Sequence, residues 1–378
     1  MNRYPAIFMR GGTSKALVFH AADLPKERSE RDRIFLAAMG SPDPNGRQLD
    51  GMGGGISSLS KVCVIGAPTH PEADIDYTFA QVQVTSADVD YGGNCGNMSS
   101  AVGPFAVDEG LVDRPDGEVV VRIHNTNTGK IIHATFEVRN GQAVSDGTYS
   151  IDGVAGSGSP IRLDFLDPGG AVTGHLLPTG NTVNTLDVPH LGPATVSMVD
   201  AANPTVFVNA GVLGLDGTEL PDHIESDPEL LTALESIRRA SSVAMGLAPT
   251  TDAAALNRLV PFVALVAEPR SYATISDRPI RAEDVDLLVR FMSSGRPHRA
   301  VPVTGAMCAA IATRLSGTVV HTATTGTEGA KIRLGTPSGV LDVNASVTSE
   351  GTVPARYRAE YASTYRTARR LFEGRVVA

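Results

Sequence analysis

Apolar residues along the chain come in short runs broken by glycine and polar turns, a pattern of many strands around few helices. Residues 4–9 form an apolar strand ending at Arg10-Gly11-Gly12-Thr13-Ser14-Lys15, and the run resumes at 16–19 beyond the glycine turn. Residues 28–39 place Ile34, Leu36, Ala37 and Ala38 ahead of Gly40 and Pro42, which predicts a helix with a glycine stop. A Gly/Ser-rich loop over 48–60 leads into Lys61-Val62-Cys63-Val64-Ile65, a buried strand. Residues 74–84 alternate, with Ile75, Tyr77 and Phe79 on one face, and predict a half-buried strand. The turn Gly92-Gly93-Asn94-Cys95-Gly96 feeds an uncharged stretch from 98 to 107, a helix that must be buried on most sides. Residues 119–124 and 131–138 predict a hairpin about Asn127-Thr128-Gly129.

Polar, turn-rich segments at 153–160 and 168–185 place a domain boundary near 185. Beyond it a similar order recurs. A strand at 194–199, the turn Asp200-Ala201-Ala202-Asn203-Pro204 and a strand at 205–208 come first. A helix follows from Asp227-Pro228 to about Met245, with Asp at the cap and Pro at the first helical position. Residues 262–267 read as a buried strand, and 282–294 as a helix with Val285, Leu288, Val289 and Met292 on one face. The turn at 301–305 feeds an apolar helix over 306–315, and strands follow at 331–334 and 339–343. Tyr357, Tyr361, Tyr365, Ala368 and Phe372 predict an amphipathic helix over 355–372. The expected domains are therefore 1–185 and 186–350, with a C-terminal helix over 351–378 placed to pack back across them.

The two halves share a motif. Asn94-Cys95-Gly96-Asn97-Met98-Ser99-Ser100-Ala101 aligns with Val303-Thr304-Gly305-Ala306-Met307-Cys308-Ala309-Ala310, and each run opens an apolar helix after a turn. Each half then wraps strands around one buried helix. Two such helix starts facing one ligand would bind carboxylates through free N–H groups and the helix dipole. The plainer reading is that these glycines only make tight turns.

Composition narrows the picture. Gly (39) and Pro (24) are abundant among 378 residues and Trp is absent, which disfavours long helices. The net charge of −9 argues against a nucleic-acid surface. The longest apolar run, 259–267, is far shorter than the roughly 20 residues a membrane helix needs. Three separated cysteines (Cys63, Cys95, Cys308) make no disulfide framework, and a cytoplasmic setting fits best.

Cys95 stands at a helix start, where the dipole favours the thiolate; the plainer reading is a small buried residue. For Cys63 and Cys308 the plainer reading is preferred. Lys61 precedes a buried strand, and a lysine drawn into a low-dielectric site can act as a general base; otherwise it is a surface lysine, as is Lys15. The nine His residues are scattered without metal-ligand spacing, and neither a phosphate-binding loop nor a Gly-x-Ser-x-Gly elbow occurs.

Met9-Arg10-Gly11-Gly12-Thr13-Ser14-Lys15, Ser57-Ser58-Leu59-Ser60-Lys61-Val62 and Asn94-Cys95-Gly96-Asn97 through Gly103-Pro104-Phe105-Ala106 resemble the methylaconitate isomerase (PrpF) family. That family includes 4-oxalomesaconate tautomerases and methylitaconate isomerases. The likeness continues through Pro302-Val303-Thr304-Gly305-Ala306 and Tyr365-Arg366-Thr367-Ala368-Arg369-Arg370-Leu371. It implies an α+β, diaminopimelate-epimerase-like fold of two pseudo-symmetric domains, each a mixed sheet curled around a central helix. It also implies no cofactor, no metal and a small unsaturated di- or tricarboxylate substrate. A homodimer fits this resemblance; nucleic acid and membrane do not.

The family's essential lysine and cysteine fall on Lys61 and Cys95. Polar substrate contacts are expected from Arg10, Thr13, Ser14, Ser57, Ser58, Asn94 and Asn203. The helix starts Gly96, Asn97, Met98 and Thr304, Gly305, Ala306, Met307 are expected to supply the remainder, largely as backbone N–H donors. The implied reaction is an allylic proton shift that moves a double bond. The alternatives are cis-trans isomerisation of the same substrates and amino-acid epimerisation, the latter disfavoured because Thr304 stands where the repeat would place a second thiol. A carboxylate-binding protein without catalysis is the non-enzymatic rival.

Overall fold

The computed structural model describes residues 2–189, 191–325, 329, 331–350 and 356–378. By contacts the chain divides into unit 1, Met1–Asp164 with Tyr365–Ala378, and unit 2, Phe165–Thr364. The division thus falls ahead of residue 185, and the end of the chain joins unit 1.

In unit 1 the principal elements are β1 (Arg3–Gly11), β2 (Ser14–His20), α1 (Arg28–Met39), β3 (Lys61–Gly66), β4 (Ile75–Val82), α2 (Gly96–Asp108), β5 (Gly117–Asn125) and β6 (Lys130–Arg139). The strands pair β1–β2 antiparallel, β2–β3 parallel, β3–β4 antiparallel, β4–β5 parallel and β5–β6 antiparallel. Every α2 residue from Gly96 to Val107 is buried, because the helix carries no charge before Asp108 and the strands close around it. The opposite sheet face is covered by α1, whose Ile34, Phe35, Ala38 and Met39 pack with Phe8, Leu17, Phe19, Val62 and Val64. The helix ends at Gly40, in the left-handed region as its Gly-Ser-Pro sequence predicts.

In unit 2 they are β7 (Asn184–Val188), β8 (Gly192–Ala201), β9 (Asn203–Asn209), α3 (Pro228–Ala244), β10 (Phe262–Ala267), β11 (Leu287–Ser293), α4 (Val303–Ala312), β12 (Lys331–Thr336) and β13 (Gly339–Glu350). From β8 to β13 the pairings again run antiparallel, parallel, antiparallel, parallel, antiparallel. The buried helices α2 and α4 occupy the same place in this order, as do the covering helices α1 and α3. The repeat is therefore present in the topology. Asp227 caps α3 by accepting from the Glu229 and Leu230 N–H groups, as its Asp-Pro start predicts.

Three sequence expectations are corrected. Residues 282–294 form a single 3₁₀ turn (Ala282–Asp284) and then β11, not a helix. The helical stripe at Val285, Leu288, Val289 and Met292 is matched, but Leu287 and Phe291 make the run apolar on its other side too. A strand buried on both faces satisfies that better. The C-terminal helix is instead two strands, β14 (Arg356–Arg366) and β15 (Ala368–Val377), paired to β13 and β1 respectively. Tyrosines at 357, 361 and 365 stand four apart, a spacing that fits period two as well as period 3.6, and β-favouring Tyr and Thr decide for strand. Finally, β4 is buried on both faces except at Thr78, since α2 covers one face and α1 the other.

Candidate active site

The start of β3 lies beside β2 and β4, and this register sets the position of Lys61. Ala16 is its partner on β2 and Gln81 its partner on β4. Lys61 is 6% exposed. Its Nζ donates to Gln81 Oε1 at 2.7 Å and lies 4.9 Å from the centre of the Phe79 ring. The Gln81 amide nitrogen donates to the Ser60 and Ser57 carbonyls (2.9 and 3.1 Å), which fixes the amide so that its oxygen faces the lysine. Among the described residues no carboxylate pairs with Lys61. The loop behind it is tied down by Gln48, whose Oε1 accepts from Gly55 N–H and Ser60 Oγ.

Cys95 is the N-cap residue of α2, and its side chain makes no capping bond to the first N–H groups of the helix. Tyr77 on β4 donates from its hydroxyl to the Cys95 carbonyl (3.4 Å) and stands 4.0 Å from Cys63 Sγ. Burial raises the Cys63 thiol's pKa, with Cys95 adding to that shift and Lys61 opposing it. Burial also raises Tyr77, again with both thiols contributing. Cys63, two residues along β3 from Lys61, thus links it through the Tyr77 hydroxyl to the Cys95 carbonyl. Cys63 itself is a core thiol, as expected.

The β1–β2 turn meets the first turn of α2. Gly12 has φ +52° and its Cα faces the Asn97 side chain, a place where a Cβ would collide. Thr13 N–H donates to Asn97 Oδ1 (3.3 Å), and Asn97 Nδ2 donates to Thr13 Oγ1 (3.1 Å). Asn97 Oδ1 also accepts from Arg366 Nε at 3.2 Å. Ser14, 1% exposed, sits on this side of the sheet, and Asn94 is buried just ahead of the cap. Arg10 is turned to backbone: its Nη1 donates to the Gly12 and Thr367 carbonyls (3.0 and 2.9 Å). Ser57 and Ser58 lie in a half-buried 3₁₀ turn, where the Ser57 carbonyl holds Gln81.

In unit 2, Asn203 Nδ2 donates to Thr304 Oγ1 at 3.0 Å, both residues being buried. Gly305 packs against the Phe291 ring, where a Cβ would come within 2.5 Å, so its lack of a side chain serves helix–sheet packing. The expected Ala306 N–H contact is corrected: that group donates within the helix to the Pro302 carbonyl (2.8 Å), and Met307 is wholly buried behind it. Only the N–H groups ahead of Ala306 are left at this helix start. Cys308 is buried, donates to the Val199 carbonyl (3.4 Å), and is pushed up to about 12 by burial.

Sequence reasoning did not reach Gln81, Tyr77 and Arg366 as neighbours of Lys61, Cys95 and Asn97. Gln81 and Tyr77 become visible only through strand register. Arg366 carried a signal, a charge inside a Tyr/Ala-rich segment of period two, which the helical reading of that segment hid. Groups of three or more His, Cys, Asp or Glu able to hold a metal ion are absent among the described residues.

Comparison with known proteins places the chain in a family. The sequence profile described as PrpF protein matches residues 1–378. The 3-methylitaconate isomerase of Eubacterium barkeri is 43% identical over 378 residues, covering 99% of this chain and 97% of the relative. The 2-methyl-aconitate isomerase of Cupriavidus necator is 40% identical, covering 98% and 96%. A solved methylitaconate-delta-isomerase superposes with a TM-score of 0.77 at 42% identity, covering 99% of this chain and 95% of that one. A probable proline racemase from Agrobacterium radiobacter superposes with a TM-score of 0.56 over 99% of this chain and 93% of that one; at 13% identity it shares the fold alone.

Proposed function

Because this chain belongs to the PrpF protein family over its whole length, we propose that it is an isomerase that shifts a double bond in a small unsaturated di- or tricarboxylate, with Lys61 as general base and Cys95 as its acid or orienting partner. The observation that carries this reading is Lys61: a buried amine held by one neutral amide oxygen, with no counter-charge among the described residues, in the same cluster as the cap thiol of α2. A structural lysine would be paired with a carboxylate or left in solvent.

Lys61, acting as the base, takes a proton from the carbon allylic to the double bond and α or vinylogous to a carboxylate. The charge spreads as a dienolate onto carboxylate oxygens, which the uncapped N–H groups at Gly96, Asn97 and Met98 stabilise. Protonation at the far carbon completes the shift. Rotation of the intermediate before protonation would give the cis-trans isomer from the same groups.

A panel of methylitaconate, methylaconitate, oxalomesaconate and aconitate, followed by ultraviolet absorbance in deuterium oxide, tests the reading. We expect a change in conjugated absorbance with at least one substrate and solvent deuterium in its product. Binding without any absorbance change across the panel would favour the non-catalytic rival.

A further inference from the structure

Arg366 is the last residue of β14, is 4% exposed, and lies against the first turn of α2. Among the other deeply buried arginines, Arg238 forms an ion pair with Glu235, and Arg290 donates to the carbonyls of Glu219, Val289 and Gly335 while its Nη2 is buried without a partner. Arg366 stands instead beside a helix start. Its Nε donates to Asn97 Oδ1 and its Nη1 to the Tyr365 carbonyl at 2.8 Å, while Nη2 has no partner and no carboxylate pairs with the guanidinium among the described residues. A buried guanidinium without a counter-charge is costly unless an anion arrives.

Ser14 supplies a second, independent sign. Its Oγ is buried and without a hydrogen-bond partner. Ser14 lies opposite Gly11 in the β1–β2 register, and Gly11 has its Cα against Asn97 and Met98 at the start of α2. Directly opposed residues share a face of the sheet, so Ser14 faces the same helix turn. The first N–H groups of α2 are themselves left uncapped by Cys95.

We propose that Arg366, Ser14 and the opening N–H groups of α2 form the binding site for one substrate carboxylate, with Asn97 as the positioning residue that holds the guanidinium through its Nε. The forked, planar guanidinium suits a carboxylate, and Nη2 is the donor left free for it. This inference rests on the polycarboxylate reading above and deepens it by naming the groups that recognise the anion.

The test uses the saturated tricarboxylate tricarballylate, which cannot undergo the shift, and titrates the whole protein by calorimetry. Arg366→Gln should weaken its binding about tenfold or more, since one charged hydrogen-bonded partner is lost. Asn97→Asp is nearly isosteric and places the missing carboxylate beside the guanidinium. It should weaken binding to a similar degree, and it decides the matter if Arg366→Gln fails to fold. With a turned-over substrate the loss should fall mainly on KM, whereas a structural role would lower the melting temperature and leave KM in place. Tricarballylate bound equally well by both folded variants would overturn this inference while leaving the isomerase reading intact. A wild-type protein that neither binds tricarballylate nor turns over any member of the panel would overturn both.

Discussion

Units 1 and 2 are built on one plan, and the proposed base and thiol sit on only one copy of it. The registers make the comparison residue by residue. Lys61 pairs with Ala16 on the preceding strand, and Phe262 pairs with Thr205 at the same place in unit 2. Continuing that register sets Cys63 against Ala264 and Tyr77 against Val289, while Phe79 is matched by Phe291. Lys61, Cys63 and Tyr77 of unit 1 are thus replaced by Phe262, Ala264 and Val289 in unit 2. The helix starts differ likewise. Cys95 caps α2, whereas Pro302 caps α4; counted from these caps, Thr304 stands where α2 has Asn97, two residues away from the place opposite Cys95 that the linear motif gives it. The hydrogen bond between hairpin and helix start survives with its partners exchanged: the Asn97 amide donates to Thr13 Oγ1 in one, and the Asn203 amide to Thr304 Oγ1 in the other. What a duplicated fold keeps is the bond that fixes helix to hairpin; what it can lose is the titratable group.

The largest effect that would sharpen this contrast is at Lys61. Lys61→Ala should lower kcat by at least about a thousandfold, within the usual range for a lost general base plus its positioning, and leave the circular dichroism spectrum unchanged. Near-normal turnover would remove the lysine from the mechanism. Cys95→Ser comes next, with a loss of kcat on the order of a hundredfold and little change in folding. A fully active serine variant would reduce the thiol to a cap residue like Pro302.

Thr304→Val should act on stability more than on rate. It removes the hydroxyl that accepts from the buried Asn203 amide, at a cost of about 1–3 kcal/mol by urea denaturation. A kcat loss as large as that of Cys95→Ser, with unchanged stability, would break the asymmetry between the two helix starts. The smallest effect concerns Cys308. Its thiol is pushed up to about 12 by burial from an ordinary value near 9, so the unfolded chain loses that proton first as pH rises. The stabilisation is complete below about pH 9 and falls as pH climbs toward 12, by up to about 1.4 kcal/mol per pH unit. Cys308→Ala should therefore flatten the fall in urea midpoint between pH 8 and pH 10 without altering kcat. An unchanged slope would mean that Cys308 is not a buried neutral thiol.

Much of the fold was legible because local signals agreed with it. The Gly40 stop, the Asp227-Pro228 start and the glycine turn at 11–12 each name a backbone conformation that few other residues adopt, and each element lies where it was expected. The failures share one cause. At 282–294 and 355–372, apolar spacing fitted two periods at once, and only pairing with β10, β12 and β13 settled the matter. The C-terminal error carried over to the candidate site, since it concealed that Arg366, itself buried, ends a strand against α2.

The sequence by itself determined the family, the duplicated plan, the candidate base and the candidate thiol, because glycine turns, an uncharged helix and linear motifs are properties of neighbouring residues. Only the tertiary structure decided which groups share a site. Gln81 reaches Lys61 from twenty residues away, Tyr77 reaches Cys95 from eighteen, and Arg366 reaches Asn97 from 269. Such distances are closed by strand register and by the burial of α2, and neither leaves a periodic trace in the chain.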